Sequence, residues 1–242
     1  MTNPAEKHTD EAGREADLAA RRRVCELCQH LYELGWASGT GGGFSLRQGD
    51  RLYVAPSGVP KERIAPEEVF VLDLDGKIVE AGQPSPSGVG GLGTAPTGGD
   101  GKLKLSACTP LFMHAYTLRG AGAVLHSHSL NAALASILFG PVFRVRGLEM
   151  VKGVAKGHVD VAHEVPVIDN MPFEHELEAS LKQAILDFPE SNAVLVRGHG
   201  VYIWGRDWVH AKTQAECYDY LFAAAVRLRE LGIDPAQLGR QR

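Results

Sequence analysis

Cysteine is scarce: four residues in 242, at positions 25, 28, 108 and 217, are too few and too scattered to build a disulfide framework, so they read as thiols. Long apolar runs are missing as well. No stretch approaches the ~18 apolar residues of a membrane span, and the N-terminal segment carries mixed charge with no apolar signal core. Nor is there a surplus of positive charge. Twenty-five Lys and Arg stand against 29 Asp and Glu, a net charge of −4 with a pI near 6.2. Without a basic field, nucleic acid is excluded as a partner and any anionic ligand has to be held by a local pocket. Together these absences point to a cytosolic protein with no membrane partner.

What is present is an ordinary globular composition, 44% hydrophobic and 22% charged, long enough for one large core. A single domain over residues 1–242 is expected, with a polar, frayed segment at 1–12. From Arg14 to Leu34, the apolar positions Leu18, Val24, Leu27, Cys28, Leu31 and Leu34 recur at helical spacing, and Gly35 supplies a stop. Cys25 and Cys28 lie inside that helical pattern with no second pair to complete a metal site. The run Arg21-Arg22-Arg23 reads as a solvated face, or one that meets a neighbouring subunit.

Residues 39–58 read as strand, Gln48-Gly49-Asp50 turn and strand, so part of the sheet is antiparallel. The glycines at 41–43 can present backbone N–H groups to an oxyanion, and Ser57, Gly58 and Lys61 can add a hydroxyl, an N–H and a cation. A plain mobile loop fits the same composition. The pattern matches neither a dinucleotide fingerprint nor a P-loop. A further hairpin is expected over 69–79. Residues 82–101, almost all Gly, Pro, Ser and Thr, read as a flexible surface insertion, and deleting 87–99 is expected to leave folding nearly intact. Thr109 is placed to cap a helix with Pro110 at its first position.

Residues 121–129, Ala-Gly-Ala-Val-Leu-His-Ser-His-Ser, carry the clearest chemistry. A short apolar run reads as a buried strand, and His126 and His128, two apart, point to one face. Two such rings can share a metal ion, and His199, ending a second apolar run at 194–196, can supply a third nitrogen from a neighbouring strand. Three neutral imidazoles around Zn²⁺ leave a position open for substrate. Surface or strand-end histidines have the same spacing, so the spacing alone leaves both open. Ser129 is placed to cap a helix over 131–138. Helices at 174–188 and 207–231 flank a strand at 164–169 and two short strands over 193–204 around a Gly198-His199-Gly200 turn. The alternation points to a three-layer α/β/α sandwich with a mixed, largely antiparallel central sheet.

Seven segments occur in one order: Gly-Thr-Gly-Gly-Gly-Phe-Ser at 39–45, Ala-Pro-Ser-Gly-Val at 55–59, Lys61-Glu62-Arg63, Cys-Thr-Pro-Leu-Phe-Met at 108–113, His126-Ser127-His128, Leu-Glu-Met-Val-Lys-Gly at 148–153, and 194–205. In that order and spacing the chain resembles the class II aldolase/adducin superfamily over about residues 14–238, and within it the zinc-dependent sugar-phosphate dehydratases. The resemblance implies a class II aldolase-like fold and one Zn²⁺ per subunit on His126, His128 and His199. It implies phosphate contacts from Gly41, Gly42, Ser45, Ser57, Gly58 and Lys61, substrate contact by Cys108, and acid/base catalysis by Glu149. It also implies a homotetramer. Cys108 stands where related aldolases carry a catalytic Glu, which favours dehydration of a ketose phosphate, 5-methylthioribulose 1-phosphate in methionine salvage, over C–C cleavage. Glu149 would take the C3 proton and then protonate the departing C4 oxygen. The rivals are a class II aldolase or epimerase and a non-catalytic adducin-like scaffold. The scaffold is expected to show a broken His triad and an extended basic tail, neither of which this sequence has.

Overall fold

In the computed structural model, residues 4–92, 102–155 and 160–239 are described, with side chains for 11–91, 102–155 and 160–239. Helix α1 (Pro4–Glu33) is followed by the hairpin β1 (Gly43–Gln48) and β2 (Arg51–Val54), then β3 (Phe70–Leu72) and β4 (Ile78–Glu80). Next come α2 (Thr109–Arg119), β5 (Ala123–Ser127), α3 (Leu130–Leu138), β6 (Val142–Val145), β7 (His163–Ile168) and α4 (Glu178–Asp187). The strands β8 (Ala193–Val196) and β9 (Gly200–Gly205) and the long α5 (Trp208–Glu230) complete the chain. The strands form one nine-stranded sheet in the order β4-β3-β2-β1-β5-β9-β8-β7-β6. Only the β7–β8 pair is parallel, so the sheet is mixed and largely antiparallel, as expected.

Strand alternation sorts the layers. On β9, Val201 and Ile203 face Ala215 and Phe222 of α5, whereas Tyr202 between them meets Phe112 of α2. On β1, Leu46 borders the same hollow as Ala20 of α1, while Ser45 meets Tyr116 of α2. Helices α1, α3 and α5 therefore cover one face and α2 and α4 the other. Fully buried Val24, Cys28, Leu52, Leu125, Val196 and Leu221 run through one continuous core.

Several expectations are corrected. Helix α1 starts at Pro4, inside the segment read as frayed and ten residues before Arg14. Arg21 is not on a solvated face: it is buried, donates to Val69 O and bridges Asp17 to Glu80. Cys108, not Thr109, is the residue before α2, and the Thr109 hydroxyl donates to Ser106 O. Ser129 does cap α3, accepting from the Asn131 and Ala132 amides. Strand β6, Val-Phe-Arg-Val, has no counterpart among the expected elements.

The described part of the insertion, 82–92, is not loose. The fully buried Glu68 carboxylate accepts from the backbone amides of Ala65, Ser85, Val89 and Gly90 at 2.7–3.0 Å. A Cβ on Gly88 would lie 2.1 Å from Glu68 Oε2, so glycine is what lets the backbone wrap the carboxylate. The composition that suggested mobility serves close approach instead, and a deletion of 87–99 would remove fully buried Val89 with two of these donors. Residues 93–101 lie outside the described part. No described helix is long and apolar enough to cross a membrane.

Candidate active site

His126 lies on β5, His128 just past its end, and His199 in the β8–β9 turn. His199 sits in the turn expected at Gly198-His199-Gly200, and it is β9, the strand after that turn, that lies beside β5. The tight turn carries it back over β9, with Gly198 at φ +65° and the His199 amide donating to Val196 O. The three Nε2 atoms then stand 2.9, 3.1 and 3.2 Å apart.

Hydrogen bonds on the far side of two rings fix what those nitrogens carry. His126 Nδ1 is 3.1 Å from Val201 O, and a carbonyl can only accept, so Nδ1 holds the proton and Nε2 a lone pair. His199 Nδ1 stands in the same way 3.0 Å from Asn170 Oδ1, which also accepts from the Met171 amide. Burial is the main cause that keeps the imidazoles neutral: His126 is held well below its ordinary pKa, His128 at about 4, and His199 is lowered. Neutral rings with converging lone pairs are a metal-binding arrangement. A tetrahedral ion with bonds of about 2.0–2.1 Å spaces its ligands about 3.3 Å apart, close to the spacing here. The cluster could hold a metal ion.

Around the cluster, Tyr202 stacks on His126 at 4.1 Å and donates its hydroxyl to Cys108 Sγ at 3.4 Å. Burial pushes the Cys108 thiol up to about 11, so it stays protonated near neutral pH. Gly41 lies against the His128 ring, where a Cβ would come within 2.2 Å of Nδ1. Gly42, at φ +69°, packs on His126 O, and Gly43 lies over Lys61. Lys61 is buried, donates to Thr40 O and Val59 O at 2.9 and 3.0 Å, and has its pKa lowered by burial. It thereby ties the glycine loop to the loop of Ser57 and Gly58, whose Ser57 amide bonds Lys104 O.

Two expected residues stand elsewhere. Ser45 is fully buried, with its hydroxyl against Tyr116 OH and Val124 O, so within this chain it is not available to a phosphate. Glu149 is exposed and accepts from Lys152 Nζ at 2.8 Å. It opens a 3-10 turn, Glu149–Gly153, that packs on α5 through Met150 to Cys217 and Gly153 O to Gln214. No hydrogen bond or ion pair joins it to the imidazoles among the described residues.

Three residues that sequence reasoning missed belong to the site: Asn170, Tyr202 and Glu174. Tyr202 had a signal, since it faces the same side of the sheet as His126, its partner in the β5–β9 register. Asn170 and Glu174 sit in the segment between β7 and α4, which the sequence connects to no histidine. With His128, Met171, Pro172, Leu177, Gly198 and His199 they line a cleft of about 370 Å³. A larger hollow of about 530 Å³ lies between α1 and the β1–β2 hairpin. There Asp17 already pairs with Arg21, Arg51 and the Tyr53 hydroxyl, so chemistry rather than size selects the smaller cleft.

Residues 22–226 match the family model of the class II aldolase and adducin N-terminal domain. The chain is 48% identical over 223 residues to the methylthioribulose-1-phosphate dehydratase of Aquarana catesbeiana, covering 89% of this chain and 87% of that protein. It is 47% identical over 243 residues to the Homo sapiens protein of that name, covering 93% and 94%. Among solved structures, an L-fuculose 1-phosphate aldolase superimposes with a TM-score of 0.70 at 18% identity over 92% of this chain and 91% of that one, a likeness of fold. The chain belongs to the class II aldolase and adducin family, and within it to the family of the methylthioribulose-1-phosphate dehydratases.

Proposed function

We propose that this protein dehydrates 5-methylthioribulose 1-phosphate to 5-methylthio-2,3-dioxopentyl phosphate, a step of methionine salvage, with Zn²⁺ on His126, His128 and His199. The observation that carries this is the convergence of three neutral imidazole Nε2 atoms beside an open cleft, in a chain about 48% identical to dehydratases of that name. An all-imidazole donor set suits a zinc ion that keeps a position free. When bound, zinc supplies Lewis acidity to the C2 ketone and its neighbouring oxygen, which makes the C3 hydrogen acidic.

The chain's own groups do the rest. Val201 O and Asn170 hold two imidazoles in the donor tautomer. The Gly42 and Gly58 amides and the Ser57 hydroxyl receive the phosphate, while the Gly41 and Ser57 amides are held by Ser38 O and Lys104 O and shape the two loops. Lys61 contributes its charge and its remaining N–H, since two of its three donors are taken by carbonyls. Cys108 lines the substrate site as a neutral thiol. Glu149 gives a proton to the departing C4 hydroxyl. It projects from the α5 layer of its own chain, so this role needs a second copy to present it, in keeping with a homotetramer.

The test is to incubate the zinc-loaded protein with 5-methylthioribulose 1-phosphate and identify the product by mass. The diketone with loss of one water is expected; cleavage into two carbon fragments would make the enzyme an aldolase instead. Mixing inactive Glu149→Gln and inactive His199→Ala chains should restore part of the activity if carboxylate and imidazoles meet across subunits. No restoration would remove Glu149 from that role.

A further inference from the structure

The elimination moves a proton at two places, C3 and the C4 oxygen, and Glu149 is not in the cleft of its own chain. Another carboxylate is. Glu174 lines the cleft together with His128 and His199. It is half-buried, and among the described residues no hydrogen bond or ion pair engages its carboxylate. Its neighbours are engaged: Asp169 pairs with Arg197, Glu176 accepts from the Phe173 amide, and Glu178 pairs with His114. Position is fixed as well, because Glu174 opens a 3-10 turn, Glu174–Leu177, that runs into α4 and is pinned by fully buried Leu177. From there its charge acts on His199, His128, Cys108 and Tyr202, the groups that surround the cluster. A carboxylate left unpaired in a cleft lined by two of the three imidazoles is available to substrate.

We propose that Glu174 is a catalytic residue, the base that takes the C3 proton of the ketose phosphate. This rests on the dehydratase function proposed above and divides its two proton transfers between two carboxylates. The C3–H bond breaks and its proton goes to Glu174. The electron pair is first held by the C2 carbonyl as an enolate and then forms the C3–C4 double bond as the C4–O bond breaks, and the C4 hydroxyl leaves as water with a proton from Glu149. In the resulting enol, Glu174 returns its proton to C4 while the C3 hydroxyl gives its own to Glu149, which yields the 2,3-diketone and resets both groups.

The experiment uses the full-length zinc-loaded protein in deuterium oxide, with 5-methylthioribulose 1-phosphate as the probe. Turnover is followed by mass and exchange at C3 by NMR. Glu174→Gln should keep its zinc and its melting temperature, lose at least about a hundredfold in kcat and show no C3 exchange. Glu174→Asp should recover part of the rate. Glu149→Gln should exchange C3 hydrogen without losing water, and the double variant should do neither. Glu174→Gln turning over like the wild type, or failing only because zinc is lost, would overturn the assignment while leaving the dehydratase function standing. A wild-type protein that consumes none of this substrate would overturn both.

Discussion

The phenol ring of Tyr202 lies flat on the imidazole of His126, with centroids 4.1 Å and planes 11° apart, and its hydroxyl reaches Cys108 Sγ. One side chain thus orients a candidate metal ligand and ties it to the start of α2. Tyr202→Phe should keep the stack and cost about 1 kcal/mol for the lost hydrogen bond. Tyr202→Ala should cost about 3–5 kcal/mol, because the ring is buried and its removal leaves a cavity. Denaturant midpoints and a zinc-competition assay measure both, and zinc affinity should fall clearly only in the alanine variant.

Gly41 offers a sharper probe of the cluster. A Cβ there would overlap the His128 ring, so Gly41→Ala should displace that imidazole and lower zinc content while the far-ultraviolet circular dichroism stays as in the wild type. Full zinc occupancy in this variant would show that the ring is not held where the structure puts it.

Metal removal should be visible in stability. An ion bound only by the folded state adds about 2.7 kcal/mol when it is present at a hundredfold its Kd. Chelation should therefore lower the melting temperature of the wild type and leave that of His199→Ala unchanged.

Glu68 holds the described part of the insertion by accepting from three of its amides, those of Ser85, Val89 and Gly90, and from the Ala65 amide beside it. Glu68→Gln replaces a charged acceptor with an amide that has one oxygen to offer, and each charge-assisted bond is worth about 1.5–3 kcal/mol. The variant should be cut by protease between 82 and 92 under conditions in which the wild type is intact there. Equal resistance would mean that the carboxylate does not organise the loop.

His163 is buried against Tyr218 OH at 2.9 Å, and burial lowers its pKa to about 4, opposed by Glu164 and Glu190. The unfolded chain binds this proton near pH 6.5 and the folded one only near pH 4. The stabilisation is therefore fully present above pH 6.5 and is lost as pH falls toward 4. His163→Gln should be less stable than the wild type at pH 7.5, and the gap should narrow by on the order of 3 kcal/mol by pH 4. A gap independent of pH would rule out a buried neutral imidazole.

Much of this was legible in the residues themselves. The spacing of His126 and His128 on a buried strand, the Ser129 cap, the β1–β2 turn at Gln48-Gly49-Asp50 and the stop at Gly35 follow from local rules, because alternation, capping and left-handed turns are set by neighbours in the chain. The fold class follows from the same periodicities. Composition misled at 82–92, where glycine serves close packing on Glu68 rather than mobility.

Only the tertiary structure decided what meets what. Placing β9 beside β5 brought the turn that carries His199 to the cluster, and the segment after β7 brought in Asn170 and Glu174, unrelated to the histidines by any spacing. It also turned Ser45 inward and left Glu149 on the α5 layer. Contacts between residues seventy positions apart depend on the order of strands in the sheet, and that order is settled by which buried faces pack together, a property of the whole chain rather than of any stretch of it.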